Sequence, residues 1–287
     1  MRREAPSAGG VGGSIRGTPS LGGGRLTDAA RNDPEEGLPY EAIAGTTRSG
    51  IVLICDHASN RIPRRLAGLG LDPAALSLHV AWDIGAADAA RHLSRRFDAT
   101  LIHTSYSRLV IDCNRKPDSH NLCPPVSDGV DVPANCNLPK DELQHRIDLL
   151  HRPYHDAIEA WIADRRKNGH VPAIVSIHSC TPVMAGFHRP WHLGILWNQD
   201  ERIARPLIQR LSADTSICVG DNQPYTGKTQ SGYSIPFHAE RNRLPHVMVE
   251  IRQDLIVTRA EAERWADVFG DALAPILADP GLYRLFG

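Results

Sequence analysis

Four short stretches of the chain carry side chains suited to hydrolytic chemistry, and each stands where an apolar run ends or a helical pattern begins. Ile51-Val-Leu-Ile-Cys55 is followed at once by Asp56 and His57, with Asn60 three residues further on. His79-Val-Ala-Trp-Asp-Ile-Gly85 puts Asp83 just ahead of a helix. The run Ala173 to Ile177 ends in His178-Ser179, and the run Val247 to Ile251 carries Glu250, with Arg252, Gln253 and Asp254 behind it. Two imidazoles and a carboxylate form a common catalytic zinc set that leaves one position to water. A further carboxylate on a neighbouring strand can serve as general base toward that water. Read singly, each signal is weak. A lone histidine at a strand end is more often a packing or surface residue, and an aspartate before a helix is more often its N-cap. Weight comes from the repetition of one pattern, a buried strand followed immediately by an ionisable residue.

A second constellation is basic. Ser107-Arg-Leu-Val-Ile-Asp-Cys-Asn-Arg115 offers Arg108 and Arg115 on either side of a predicted strand, Arg108 to Ile111, with Asn114 beside the second arginine. Guanidinium groups bind carboxylates bidentately, which points to a small anionic substrate. The structural alternative is an arginine that pairs with Asp112 or Asp83. The turn-rich loop Asp221-Asn-Gln-Pro-Tyr-Thr-Gly227 either closes over a ligand through Tyr225 or is only a turn. His238 and His246 read as packing residues or as supports for Glu250, and Cys55 and Cys180 as small buried fillers.

The elements that must hold these residues follow from pattern and composition. Of 287 residues, 41% are hydrophobic and 23% charged, enough for a substantial core. The net charge of -1, from 32 basic and 33 acidic residues, counts against a nucleic-acid partner. No apolar run approaches the roughly 18 residues of a membrane span. The six cysteines form no CxxC pair, which suits reduced thiols and a cytoplasmic location. Residues 1 to 40, rich in Gly, Ser, Arg and Pro without periodicity, are expected to form a disordered tail, and residues 41 to 287 a single domain. Ala86, Ala90, Leu93 and Phe97 share a helical face, and Thr100 to His103 reads as a strand. Cys113 to Pro139 is an unusually long loop, a kind that is often functional. Leu143, Ile147, Leu150, Tyr154, Ile158 and Ile162 mark a long helix with a bend expected at Pro153. Strands at Leu193 to Trp197 and Ile217 to Val219 flank a helix carrying Ile203, Leu207 and Leu211. Thr258 with Glu261 makes a capping box for a C-terminal helix. Such alternation predicts a three-layer α/β/α fold around a mostly parallel sheet, with its site at the carboxyl ends of the strands.

Taken together and in order, the motifs Cys-Asp-His-Ala-Ser-Asn60, Ala-Trp-Asp-Ile-Gly85, Ser-Arg-Leu-Val-Ile-Asp112 with Asn-Arg115, Ser-Ile-His-Ser179, Asn-Gln-Pro-Tyr225 with Gly227, and Leu-Pro-His246 with Glu-Ile-Arg-Gln-Asp-Leu255 resemble the N-formylglutamate amidohydrolase family. The resemblance implies a zinc-exopeptidase-like (phosphorylase/hydrolase-like) α/β fold with a mixed central sheet. It further implies His57 as first metal ligand, His178 as last and Glu250 as the base. Asn114-Arg115 would match a pair that binds the substrate carboxylate, and Arg108 an additional substrate-facing arginine. One position departs from the zinc carboxypeptidase pattern, in which an acidic ligand stands three residues after the first histidine; here that residue is Asn60. The related cell-wall amidases carry their acidic ligand further on, before the next helix, where this chain has Asp83. Two neutral histidines with one carboxylate also compensate the metal's charge better than His, Asn and His. Asp83 is therefore preferred as ligand, and Asn60 is left to contact the substrate or to support the residues around the metal. The expectation is an amidohydrolase with one divalent metal, Zn2+, that cleaves an N-acyl amino acid of the N-formyl type, such as N-formyl-L-glutamate, to formate and the free amino acid. Alternatives are a hydrolase of the same machinery acting on another N-acyl amino acid, a peptide or a cell-wall fragment, and a metal-free carboxylate-binding module. Oligomeric state is not legible in these residues.

Overall fold

The computed structural model describes residues 37–46, 50–228 and 232–287. The expected tail thus falls outside the described residues, apart from its last four.

Seven strands form the central sheet: β1 (Tyr40–Ile43), β2 (Ile51–Cys55), β3 (Thr100–Thr104), β6 (Ala173–Cys180), β9 (Leu193–Leu196), β10 (Val219–Asp221) and β11 (His246–Arg252). Their order is β1-β3-β2-β6-β11-β9-β10. The four inner strands β3, β2, β6 and β11 run parallel, while β1 and β9 are antiparallel to their neighbours β3 and β11. β10 then runs parallel to β9. The sheet is therefore mixed, with a parallel centre. Strands buried on both faces lose the alternation of polar and apolar residues. This is why β2 is apolar and buried throughout and β6 is buried along its full length.

Helices α1 (Ala86–Phe97), α4 (Ala204–Leu211) and α5 (Arg259–Leu277) cover one face, packed on Leu53, Leu101, Val175, Val249 and Ile251. The capping box expected for α5 is present, with Thr258 and Glu261 each closing on the other's backbone. The opposite face is covered by α3 (Arg152–Lys167) and a π-helical turn, Ile235–Glu240, against Val52, Ile54, Ile102 and Ile174. No described helix is long and apolar enough to cross a membrane.

Two sequence expectations change. The long helix is α2 (Lys140–Arg146) joined to α3 by a π-helical turn at Ile147–His151. The irregularity thus falls on the turn before Pro153, whose missing N–H breaks the hydrogen-bond ladder there. Arg108 to Ile111 is a turn and not a strand. Its apolar residues Leu109, Val110 and Ile111 pack with Leu69, Leu122 and Val132 into a small core of their own, under the long loop. That loop is ordered by a hairpin, β4 (Val126–Ser127) with β5 (Val130–Asp131), and by the buried Arg146. The guanidinium of Arg146 donates to Val110 O at 2.9 Å and to Asn135 Oδ1 at 2.8 Å. A second hairpin, β7 (Val183–Met184) with β8 (Phe187–His188), follows β6.

Candidate active site

The carboxyl ends of β2, β6 and β11 meet at one cavity of about 510 Å³. His57 lies in the turn just after β2, and its backbone oxygen accepts from the Asp83 N–H at 3.0 Å, which ties the two motifs together. Gly85, at φ +77°, ends that second motif and starts α1. A Cβ there would lie 2.2 Å from Ile256 O, so no other residue lets the chain turn at this point. His178 and Glu250 are register partners on the parallel strands β6 and β11, which sets their side chains side by side on one face.

His57, Asp83 and His178 are all buried, and their ligand atoms lie within 4.8 Å of one another. Asp83 Oδ2 is 2.7 Å from His178 Nδ1 and 3.3 Å from His57 Nδ1. Ligands on a tetrahedral zinc, each about 2.0–2.1 Å from the ion, stand roughly 3.3 Å apart, so the spacing suits such an ion. The outer nitrogens are each held by a further buried aspartate. His57 Nε2 is 2.7 Å from Asp112 Oδ1, and His178 Nε2 is 3.2 Å from Asp56 Oδ2. Because a carboxylate only accepts, each Nε2 carries a proton, and both Nδ1 atoms face Asp83.

Asp56 is anchored in turn by the hydroxyls of Tyr154 and Ser234, each donating to Oδ1 at 2.7 Å. Asp112 accepts from Arg108 Nη2 at 2.7 Å and Nε at 3.1 Å, and from the Asn114 N–H at 2.9 Å. Burial would raise the carboxyl groups of Asp56, Asp83 and Asp112, but the neighbouring histidines, with Arg108 for Asp112, hold them below the usual range. Burial would likewise lower both imidazoles, and Arg108 also lowers His57. The aspartates overcome this and raise both. With protons on both inner nitrogens, two imidazolium ions and Arg108 balance the three aspartates. Exchange of those two protons for one divalent cation leaves the balance unchanged. In both spacing and charge the residues fit a divalent metal.

Glu250 faces the same cavity, and its Oε2 is buried with no hydrogen-bond partner. Burial and the charge of Asp83 push its carboxyl up to about 7, against the pull of His178, His57 and Arg108. That is the range a general base needs near neutral pH.

Arg108, Asn114, Arg115 and Tyr225 also line the cavity. Arg108 is engaged by Asp112 and lies 3.5 Å from Asp83, so the structural pairing considered for it is present alongside its cavity position. Asn114 Oδ1 accepts from the N–H groups of Tyr233 and Ser234 at 2.7 and 3.1 Å, which fixes the segment entering the π-helical turn. Tyr225 takes a hydrogen bond from Arg189 at 3.1 Å. The loop carrying it reaches the site because β9 has Gly194, where a Cβ would lie 2.0 Å from Gln223 O. Asn60 does not line the cavity; its amide donates to Leu76 O at 2.8 Å. His79, bonded to Asp128 at 2.9 Å, brings the β4–β5 hairpin to the rim. Sequence reasoning had not singled out Asp56 or Tyr154, and had seen Asp112 only as a partner for arginine. The one available signal for Asp56 was its place beside His57 at a strand end.

Comparison with known proteins gives the family and the fold. The family model described as N-formylglutamate amidohydrolase matches residues 49–257. The chain belongs to that family. Among solved structures, a gene product of Agrobacterium tumefaciens is 37% identical, with a TM-score of 0.80 over 84% of this chain and 97% of that one. An N-formylglutamate amidohydrolase from Ralstonia eutropha JMP134 shares the fold at 20% identity, with a TM-score of 0.59 over 83% of this chain and 97% of its own. No curated protein matches the chain. As a member of an amidohydrolase family, the protein is a hydrolase.

Proposed function

We propose that this protein is a zinc-dependent amidohydrolase that releases formate from an N-formyl amino acid, with N-formyl-L-glutamate as the reference substrate. The observation that carries the reading is the convergence of His57 and His178 Nδ1 on Asp83, with the unpartnered Glu250 carboxylate in register beside His178. His57, Asp83 and His178 would hold the ion. When bound, it supplies a Lewis acid that polarises the amide carbonyl and eases deprotonation of water.

The remaining work falls to the chain itself. Glu250 takes the proton of the attacking water and delivers it to the departing amine nitrogen. Arg115 and Asn114, with Arg108 beside them, hold the substrate carboxylate and thereby orient the scissile amide. Asp56 and Asp112 keep both imidazoles in the tautomer that ligates. The free cysteines support a reducing compartment, the cytoplasm.

The test is metal content after purification, followed by formate release from N-formyl-L-glutamate and other N-formyl amino acids. Glu250→Gln should retain zinc and lose about 10²–10⁴-fold in kcat. Near-normal turnover in that variant would remove Glu250 from the role of base, and zinc without formate release from any N-formyl amino acid would overturn the substrate.

A further inference from the structure

Cys113 to Arg115, the stretch that carries the substrate clamp, lies in the long loop without a strand or helix of its own. Three buried histidines hold it from behind, and none of them lines the cavity. His151 Nε2 is 2.9 Å from Arg115 O, and His155 Nε2 is 2.9 Å from Cys113 O. The carbonyls on either side of Asn114 are thus both fastened. A carbonyl only accepts, so each of these Nε2 atoms carries a proton.

His155 is itself part of a chain. Its Nδ1 is 2.8 Å from His238 Nε2, in the second π-helical turn, and His238 Nδ1 is 2.7 Å from Glu159 Oε1. The chain runs from the Glu159 carboxylate through two imidazoles to Cys113 O, with an acceptor at each end. Its three hydrogen bonds need three protons, and two neutral imidazoles supply only two. The two rings therefore share one extra proton, and with it one positive charge. Glu159 supplies the matching negative charge, while Arg241 Nη2 holds its other oxygen at 2.9 Å. Burial, with the neighbouring His151 and His238, pushes His155 well below the usual histidine value, which leaves the extra proton on His238 against Glu159. Asp56 also faces the pair, and its charge favours the proton. Tyr154, Tyr233 and the Cys113 thiol complete the surroundings, and burial keeps all three neutral. Loss of the extra proton breaks the chain at one point. Either two lone pairs meet between the rings, or one meets the Cys113 carbonyl.

We propose that His155, His238 and Glu159 are positioning residues that fasten the Asn114–Arg115 clamp through one shared proton, so that the hold on the substrate carboxylate weakens when that proton is lost. This rests on the reading of Asn114 and Arg115 as the clamp.

Glu159→Gln provides the test, because a glutamine amide donates as well as accepts. Its NH2 donates to His238 Nδ1, the rings pass their two protons toward Cys113 O, and all three bonds stand with the pair neutral. KM and kcat for formate release from N-formyl-L-glutamate are measured from about pH 6 to about pH 9, around the usual histidine value, in zinc-saturated native and variant protein. The native-to-variant ratio of KM should rise about 3- to 10-fold across that range, as expected for one lost hydrogen bond, while the ratio of kcat stays level. Ratios at each pH cancel titrations common to both proteins, that of Glu250 included. A KM ratio that does not change with pH, or a kcat ratio that changes as much, would overturn the proposal. Imidazole 15N NMR reads the pair without turnover. At about pH 6 three of the four nitrogens of His155 and His238 should carry protons in the native protein, and a count of two refutes the assignment. If the zinc-loaded protein releases no formate, the reaction assigned above fails, and calorimetric affinity for L-glutamate takes the place of KM. A native-to-variant ratio of Kd that rises with pH then upholds the positioning role, and a level ratio or no binding refutes it.

Discussion

Replacement of Asp56 by asparagine tests the proposed role of His178 as a metal ligand. Asp56 Oδ1 accepts from two hydroxyls, Tyr154 and Ser234, while Oδ2 faces His178 Nε2. Asparagine keeps the size and one acceptor oxygen, so both hydroxyls stay satisfied. Its NH2 then meets His178 Nε2, and a donor cannot face a donor. His178 relieves the conflict by giving up its Nε2 proton and keeping the one on Nδ1, the nitrogen 2.7 Å from Asp83. With Nδ1 protonated, His178 cannot ligate a metal from the nitrogen that faces Asp83. Loss of such a supporting hydrogen bond costs about 10- to 100-fold in metal affinity, or roughly 1.4–2.8 kcal/mol. Competition for zinc with a chromophoric chelator measures this directly. Asp56→Ala gives the contrast, because it strands two buried hydroxyls at about 1–3 kcal/mol each and should lower Tm as well. Zinc affinity within about threefold of native in Asp56→Asn would show that Asp56 does not set the tautomer. Asp112 is a less clean probe, since it also anchors Arg108.

Zinc binding should release protons. His57 and His178 are raised above the usual histidine value of about 6.5, so near neutral pH zinc must displace a proton from each Nδ1. Apparent affinity should rise with pH by up to about 100-fold per unit, and calorimetry in buffers of different ionisation enthalpy counts the protons; no release at pH 7 would contradict the geometry. Because the folded values are raised, these histidines stabilise chelator-stripped protein fully below about pH 6.5 and lose that effect as pH rises through the folded values. Its Tm should therefore fall on the alkaline side, and zinc should offset the fall. The three aspartates have the opposite sign, since their depressed values give stability that is present above about pH 4 and lost below it. Arg146→Met should cost about 3 kcal/mol or more, because it strands buried acceptors beneath the long loop, and a Tm change under about 2 °C would show that the loop does not depend on this residue.

Much of the layered architecture was legible because its physics is local. β2, β6 and β11 are parallel strands buried on both faces, so they read as unbroken apolar runs, and the ionisable residues in or just after them stand out against that background. The faces of α1 and α5 and the capping box at Thr258 are set by spacing alone. Leu109, Val110 and Ile111 misled for the same reason. A short apolar run looks alike whether it fills a strand or, as here, the small core beneath a loop.

The sequence by itself determined which side chains were available: His57, Asp83, His178 and Glu250 each carry chemistry at the end of an element, and the ordered motifs mark the family. The tertiary structure decided which of them meet, and at what distance. Asp56 reaches His178 across 122 residues, His57 reaches Asp112 across 55, and Asp83 lies 95 residues from the histidine it faces. No local period records such pairings, because they arise only when parallel strands and the turns at their ends are laid side by side.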